Sequence, residues 1–489
     1  MGFKADASFL KFLTMGAVGV QQVVKQLRDL GFQPIELERY CASNKIWTTK
    51  VKRLRLPDLL CIKTGLRIEA KGKSDLTVKM SHAEHNPDRS WDAGLNPQDL
   101  IAFIKCYTED TICAAESALF FEVGDLKANI HSAKLGPPKS ASEGAERDLT
   151  WPCIVAKKDG EVLDVDQING KIKTKPDEGR KYTYTLRGKT PYVAAGDRYK
   201  AFESILAGTL SGPVDVRQRL NDTWDPFDLL NSEIDIDRYA ATKAIPFLEI
   251  NPANDAVNIL EGLLDNELDE RVALEMASSL ARLNSQKGFD FICNKIENPT
   301  EAYIPMEATF ILTEIANNPS IQTMESLAGN QDFVGNEIRQ AAVWGLGKAG
   351  AKAYNKLIQF IDDEEDEVAL HAIAAFGNDT DNATIDNLIE LLVSGSPRQK
   401  AAVCKSLSMI QSDYVINQLK QAAENSPGQK SWIIASLGQQ TPENVRLALG
   451  NSSLLEQTQP LFHMSKYENW LATTEKDIDL KFLVAQSIF

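Results

Sequence analysis

The chain has 489 residues, 43% hydrophobic and 25% charged, which is enough for two or three domains with ordinary globular cores. It has no run of eighteen apolar residues, which excludes a helical membrane span, and an N-terminus without a sustained apolar core argues against secretion. The net charge of −15 is uneven: residues 1–110 hold 17 Lys+Arg against 13 Asp+Glu, 111–230 hold 17 against 18, and 231–489 hold 19 against 37.

In chain order, Val18–Leu30 has helical apolar spacing at Val20, Val23, Val24, Leu27 and Leu30, with Gly31 placed as a C-cap. Phe32–Leu37 reads as a first strand. Trp47–Leu56 reads as extended and basic, with Lys50, Lys52, Arg53 and Arg55. This set is either a solvated edge or a row of phosphate contacts. Leu59–Ile62 is an apolar run suited to a buried strand, and Leu66, Ile68 and Ala70 alternate with Arg67, Glu69 and Lys71. A two-residue turn at Thr64-Gly65 would pair Asp58 with Lys71. Alternation then puts Asp58, Glu69 and Lys71 on one face. Ser74–Asn96 reads as irregular; within it His82 and His85 read as loop histidines and Trp91 as an anchor to the core. Gln98–Tyr107 is expected to be a helix and Ala118–Val123 a last strand.

Two carboxylates and an ammonium on one face suit phosphodiester hydrolysis. Hard oxygen donors bind Mg²⁺, which activates water and neutralises charge at phosphorus. Pro57-Asp58, ten residues, then Glu69-Ala70-Lys71 resembles the PD-(D/E)xK nuclease signature, and the order helix, three strands, helix, strand over about residues 15–130 resembles that family's core. The resemblance implies metal ligation by Asp58, Glu69 and the Ala70 carbonyl, with Mg²⁺ or Mn²⁺, and catalysis by Asp58, Glu69 and Lys71. It also implies a restriction-endonuclease-like α/β core over 1–135, acting on DNA with RNA not excluded, and a prokaryotic, antiviral endonuclease role.

Residues 131–150 read as a linker or long loop. Residues 151–230 read as a β-rich segment, with strands at Cys153–Val155, Glu161–Val165, Lys171–Lys173 and Lys181–Leu186, turns at Asp159-Gly160 and Asn169-Gly170, and a helix from about Asp197 to Ala207. From Ile234 to the C-terminus an all-α solenoid is expected. An apolar anchor recurs at Leu280, Leu312, Leu346, Phe376, Leu407 and Leu437, at intervals of 30 to 34 residues. The period, and the glycines Gly347, Gly377 and Gly438 that close the first helices, resemble short HEAT repeats. Leu454–Phe489 reads as a cap.

The fold class is therefore α+β and multidomain. Scattered cysteines without a CxxC pair, and histidines without metal-ligand spacing, fit a cytoplasmic protein with reduced thiols and no zinc site. The acidic repeats should repel DNA and dock a basic protein, a second copy of the chain, or the chain's own basic N-terminal part. The competing reading is a scaffold that binds nucleic acid without cutting it.

Overall fold

The computed structural model describes residues 7–37, 47–51, 54–108, 111–141, 144–248, 253–333 and 336–462. The chain forms two compact units. One gathers Lys11–Arg39 and Arg53–Met276; the other gathers Met1–Leu10, Tyr40–Lys52 and Ala277–Phe489.

The first unit is built on a mixed sheet. Strands β1 (Pro34–Glu36), β2 (Leu59–Cys61) and β3 (Arg67–Lys73) run antiparallel in turn. The 67–73 segment has a second neighbour, a nine-residue strand at Leu100–Thr108, which runs parallel to it. Between them in sequence lies β4 (Val78–His82), so the parallel neighbour is β5. Beyond it β6 (Ile112–Ala114) and β7 (Leu119–Glu122) pair antiparallel with β5. The expected helix at 98–107 is thus a strand. Leu100, Ile101, Ala102, Phe103 and Ile104 are all fully buried. An unbroken apolar run of this kind marks a strand covered on both faces, and its pattern does not distinguish it from a buried helix.

Helix α1 (Ala7–Asp29) lies across this sheet. A Cβ on Gly72 would stand 2.6 Å from the Met15 carbonyl oxygen, so glycine there permits the close approach. The face of β3 that carries Ile68, Ala70 and Gly72 is therefore under α1, and Arg67, Glu69, Lys71 and Lys73 project from the other.

Residues 131–150 are not a linker. They hold β8 (Lys134–Pro138) and begin β9 (Arg147–Trp151), and these form a three-stranded sheet with β4 in the order β4-β9-β8. The stretch expected to be irregular, Ser74–Asn96, supplies β4. Trp151 and Trp91 meet edge to face at 5.0 Å within a core that also holds Phe103, Phe121 and Ile205. Strand β10 (Cys153–Val155) has the expected bounds, and β11 (Gly160–Asp166), β12 (Lys171–Pro176) and β13 (Tyr182–Thr185) fall where expected. Asn169-Gly170 lies in the β11–β12 turn, whereas Gly160 lies inside β11 and starts no turn. In place of a helix near 197–207 stand two strands; with β14 (Thr190–Pro191) they are β15 (Arg198–Tyr199) and β16 (Ile205–Gly208). Phe202 has φ +60°, a value that no right-handed helix tolerates. Short helices α2 (Val123–Ala128) and α3 (Pro226–Leu229), then α4 (Asp235–Ala244) and α5 (Ala253–Leu264), complete this unit with the first half of α6 (Glu270–Arg282).

The second unit is made of helix pairs. After α6 come α7 (Gln286–Glu297), α8 (Ile304–Ile315), α9 (Asn318–Gly329), α10 (Glu337–Lys348), the short α11 (Tyr354–Leu357), α12 (Asp366–Ala375), α13 (Asn382–Ser394), α14 (Pro397–Ser408), α15 (Asp413–Asn425), α16 (Lys430–Leu437), α17 (Pro442–Leu449) and α18 (Ser453–Thr458). First helices pack on first helices, α8 on α10, α10 on α12, α12 on α14 and α14 on α16; second helices likewise pack α13 on α15 and α15 on α17. All six periodic anchors are fully buried, because each pair closes its apolar stripe only against its neighbours. The buried Arg339 ties successive pairs together, with its guanidinium 2.7 Å from Asp363 and also bonded to Glu365. Residues 463–489, most of the expected cap, lie outside the described residues.

Candidate active site

The 59–68 hairpin decides how the candidate residues meet. Leu59 pairs with Ile68 and Leu60 with Arg67. The loop is therefore four residues, 62–65, and Asp58 stands opposite Glu69, not opposite Lys71 as a two-residue turn would have it. The Cys61 N–H donates to the Leu66 carbonyl at 2.8 Å, and the Thr64 and Gly65 N–H groups both donate to the Cys61 carbonyl. The turn is wider because Trp224 is seated over it: its Nε1 donates to the Ile62 carbonyl at 2.7 Å. Gly65 has φ +67°, and a Cβ there would meet the indole at 2.6 Å. The slip is two residues. A two-residue slip preserves facing, whereas a slip of one would invert it. Asp58, Glu69 and Lys71 therefore still share a face.

The Ala70 N–H donates to Asp58 Oδ2 at 2.7 Å. An extended residue sends its N–H and C=O to the same edge of its strand, so the Ala70 carbonyl lies on the Asp58 side. Lys71 Nζ bonds Glu69 Oε1, and the two side chains are 32% and 18% exposed. Asp58, Glu69, Ala70 and Lys71 are thus brought together on one half-open face.

The basic set is described only in part. Lys50 is exposed, belongs to the second unit, and its Nζ donates to the Trp47 carbonyl. Arg55 is exposed and belongs to the first unit. Lys52 and Arg53 lie outside the described residues. The described parts of 47–56 carry no strand. At the end of β4, His82 Nδ1 accepts from the Trp91 N–H at 3.4 Å, which makes His82 a brace for that tryptophan; His85, in the loop that follows, is exposed.

Three groups beside the motif escaped the sequence pattern. Arg67 is 5% exposed and forms a two-pronged pair with Asp99, at 3.0 and 2.9 Å, and a further pair with Asp237 at 3.1 Å. Asp99 also accepts from the Asn96 N–H at 2.7 Å. This network clamps the start of β3 to the start of β5. Lys73 lies two residues past Lys71 on the same face, and this period of two was its one available signal. Its Nζ donates to the Lys79 carbonyl at 2.8 Å and lies 5.9 Å from the Phe103 ring centre. Burial, then repulsion from Lys71 and Lys79, pushes the Lys73 ammonium down to about 8. Next to it Asp148 bridges Lys79 and Lys139, each at 3.0 Å. Burial works to raise the Asp148 carboxyl, but the hydrogen bonds from Lys139 and Lys79 outweigh it and hold the carboxyl low. A band of lysines therefore runs from Lys71 through Lys73 to Lys79 and Lys139.

Among the described residues no three His, Cys, Asp or Glu side chains cluster as a metal site. The face offers two carboxylates and one backbone carbonyl, all hard oxygen donors. That set fits Mg²⁺, which retains several waters and takes few protein ligands.

The second unit is an array of stacked helix pairs. Residues 354–438 match the family model for HEAT repeats, an architecture whose stacked pairs form extended surfaces suited to binding. No curated protein matches the chain. No helix of the described residues is long and apolar enough to cross a membrane.

Proposed function

We propose that the chain is a metal-dependent nuclease, acting on DNA, with a HEAT-repeat module for binding a partner or a second copy. The carrying observation is the convergence of Asp58, Glu69 and Lys71 on one face of the 59–73 hairpin, with the Ala70 carbonyl on the Asp58 edge. Three antiparallel strands followed by a strand parallel to the third also support the reading, although a helix expected in that core is absent here.

Asp58, Glu69 and the Ala70 carbonyl would hold Mg²⁺ or Mn²⁺. When bound, such an ion polarises the phosphate and lowers the pKa of a ligated water. The chain's own groups do the rest. Lys71 is placed to offset charge on a phosphate oxygen at the mouth of the face. Lys73, Lys79 and Lys139 extend positive charge along one side of it, where a phosphate backbone would lie. The Arg67–Asp99 clamp holds β3 in register so that Glu69 and Lys71 stay aimed.

Purified protein is assayed on linear, circular and single-stranded DNA and on RNA, with and without Mg²⁺. Mg²⁺-dependent cleavage that disappears in Asp58→Asn supports the reading. Binding without cleavage by the wild type supports the scaffold alternative, which the HEAT match by itself favours.

A further inference from the structure

Within the second unit, a short segment from far upstream is seated on the repeats. Trp47 is 2% exposed. Its indole stacks on His371 of α12 at 5.0 Å and 22°, meets Trp344 of α10 edge-on at 6.3 Å, and lies 6.0 Å from Phe310 of α8. Three successive first helices thus build one aromatic box. The backbone is held as well. The Thr48 N–H donates to Glu337 Oε1 at 2.6 Å, and the Thr49 N–H to Glu337 Oε2 at 2.7 Å, across 289 and 288 residues of sequence. The Thr48 side chain is exposed; burial works to raise the Glu337 carboxyl, but hydrogen bonds from both threonines hold it low.

The box is local to this part of the array. Phe310 and Trp344 each stand two residues before a periodic anchor. In the other repeats that position holds Ser278, Ala374, Lys405 and Ala435. At this position aromatic residues therefore replace small or polar ones only in two adjacent repeats, and both of these aromatic residues line the seat of Trp47. Nothing in the stacking of helix pairs requires that. Charge agrees: residues 277–489 hold 16 Lys+Arg against 26 Asp+Glu, while the segment 44–51 carries Lys45, Lys50 and no acid.

We infer that the box on α8, α10 and α12, with Glu337 beside it, is a receptor site for an extended peptide that presents a tryptophan followed by two backbone N–H groups. Residues Trp47–Thr49 are its occupant in cis, and a second copy of this chain carries the same ligand in trans. The recognition resembles other extended-peptide grooves: one large side chain supplies the anchor, and the main chain supplies the register. The site tethers the segment that leads, eleven residues later, to Asp58. The inference does not depend on the nuclease reading, since the contacts stand whatever Asp58 does.

The test uses the full chain and a fluorescein-labelled peptide of residues 44–51. In the wild type the cis segment competes at an effective concentration on the order of millimolar, so the labelled peptide should bind poorly. Trp47→Ala empties the box, and the peptide should then bind saturably, at least about tenfold more tightly than to the wild type by anisotropy. A second acceptor, Thr48→Pro with Thr49→Pro, keeps the indole but removes both N–H donors, and it should also take up the peptide. The same peptide with alanine for tryptophan should bind neither. If both acceptors keep wild-type helical circular dichroism and bind no peptide, Trp47 is only a packing residue and the inference fails. Equal binding to wild type and acceptors, or binding indifferent to the peptide's tryptophan, also overturns it.

Discussion

Replacing Lys73 by methionine should separate stability from function. Burial, reinforced by Lys71 and Lys79, pushes the Lys73 ammonium from its ordinary 10.5 to about 8. At about 1.36 kcal/mol per pH unit, carrying that charge costs the fold about 3 kcal/mol at pH 7. Methionine fills similar space and removes the cost. It also forfeits the hydrogen bond to the Lys79 carbonyl, worth about 1 kcal/mol, and leaves that oxygen to water. The net expectation is a gain of about 1–2 kcal/mol at pH 7. The pH dependence has a definite sign. Between about 8 and 10.5 the unfolded chain still holds a proton that the folded chain has lost, so wild-type stability rises with pH and the advantage of methionine shrinks. Urea denaturation at pH 7 and pH 10, with hydrogen exchange of the β3 and β5 amides as the local reporter, measures both effects. Destabilisation by Lys73→Met at pH 7, or an advantage unchanged at pH 10, refutes the reasoning. Under the proposed function the more stable variant cleaves more slowly, which is the pattern of a residue kept for activity.

Asp58→Asn, Glu69→Gln and Lys71→Met should each lower Mg²⁺-dependent cleavage by about 10² or more while leaving circular dichroism unchanged, and wild-type turnover in all three would remove the nuclease reading. Asp99→Leu strands the buried Arg67 charge and should cost about 3–5 kcal/mol, whereas Asp99→Leu combined with Arg67→Met should recover most of it; a double-mutant cycle in urea with additive losses would contradict the clamp. Acid should weaken the seat of Trp47. Burial drives His371 down to about 3, so below pH 6.5 the unfolded chain takes up a proton that the folded chain refuses. Desolvation works to raise the Glu337 carboxyl, yet its bonds from Thr49 and Thr48 outweigh that and hold it low, and this support is lost below about pH 4.5 as the carboxylate protonates. Trypsin cleavage after Lys50 should therefore quicken after brief incubation at pH 4, and His371→Leu should abolish the part of that response between pH 6.5 and 4.5. Neutralising Lys50, Lys52, Arg53 and Arg55 together should lower the salt slope of DNA binding by up to about 4; an unchanged slope would make them a solvated edge.

Periodicity made the repeats legible, because a pair of helices that cannot bury its own stripe must repeat the same apolar residue at the same phase, and all six anchors are buried as that argument requires. Alternation likewise put Asp58, Glu69 and Lys71 on one face, and the assignment survived a wrong turn length because facing depends only on whether a slip is odd or even. Local pattern failed where burial is two-sided or partners are remote. Leu100–Ile104 is apolar throughout, so no period remained to tell strand from helix, and only pairing with β3 decided it. The segment 131–150 looks like a linker because β8 is mostly exposed, and it became a sheet only by pairing with β4 far upstream. Arg67 with Asp99 and Asp237, Trp224 over Gly65, and Trp47 in its box are meetings of residues 32 to 324 positions apart in the chain. No sequence window contains both members of such a pair; the folded chain brings them within reach, and burial then gives the contact its strength.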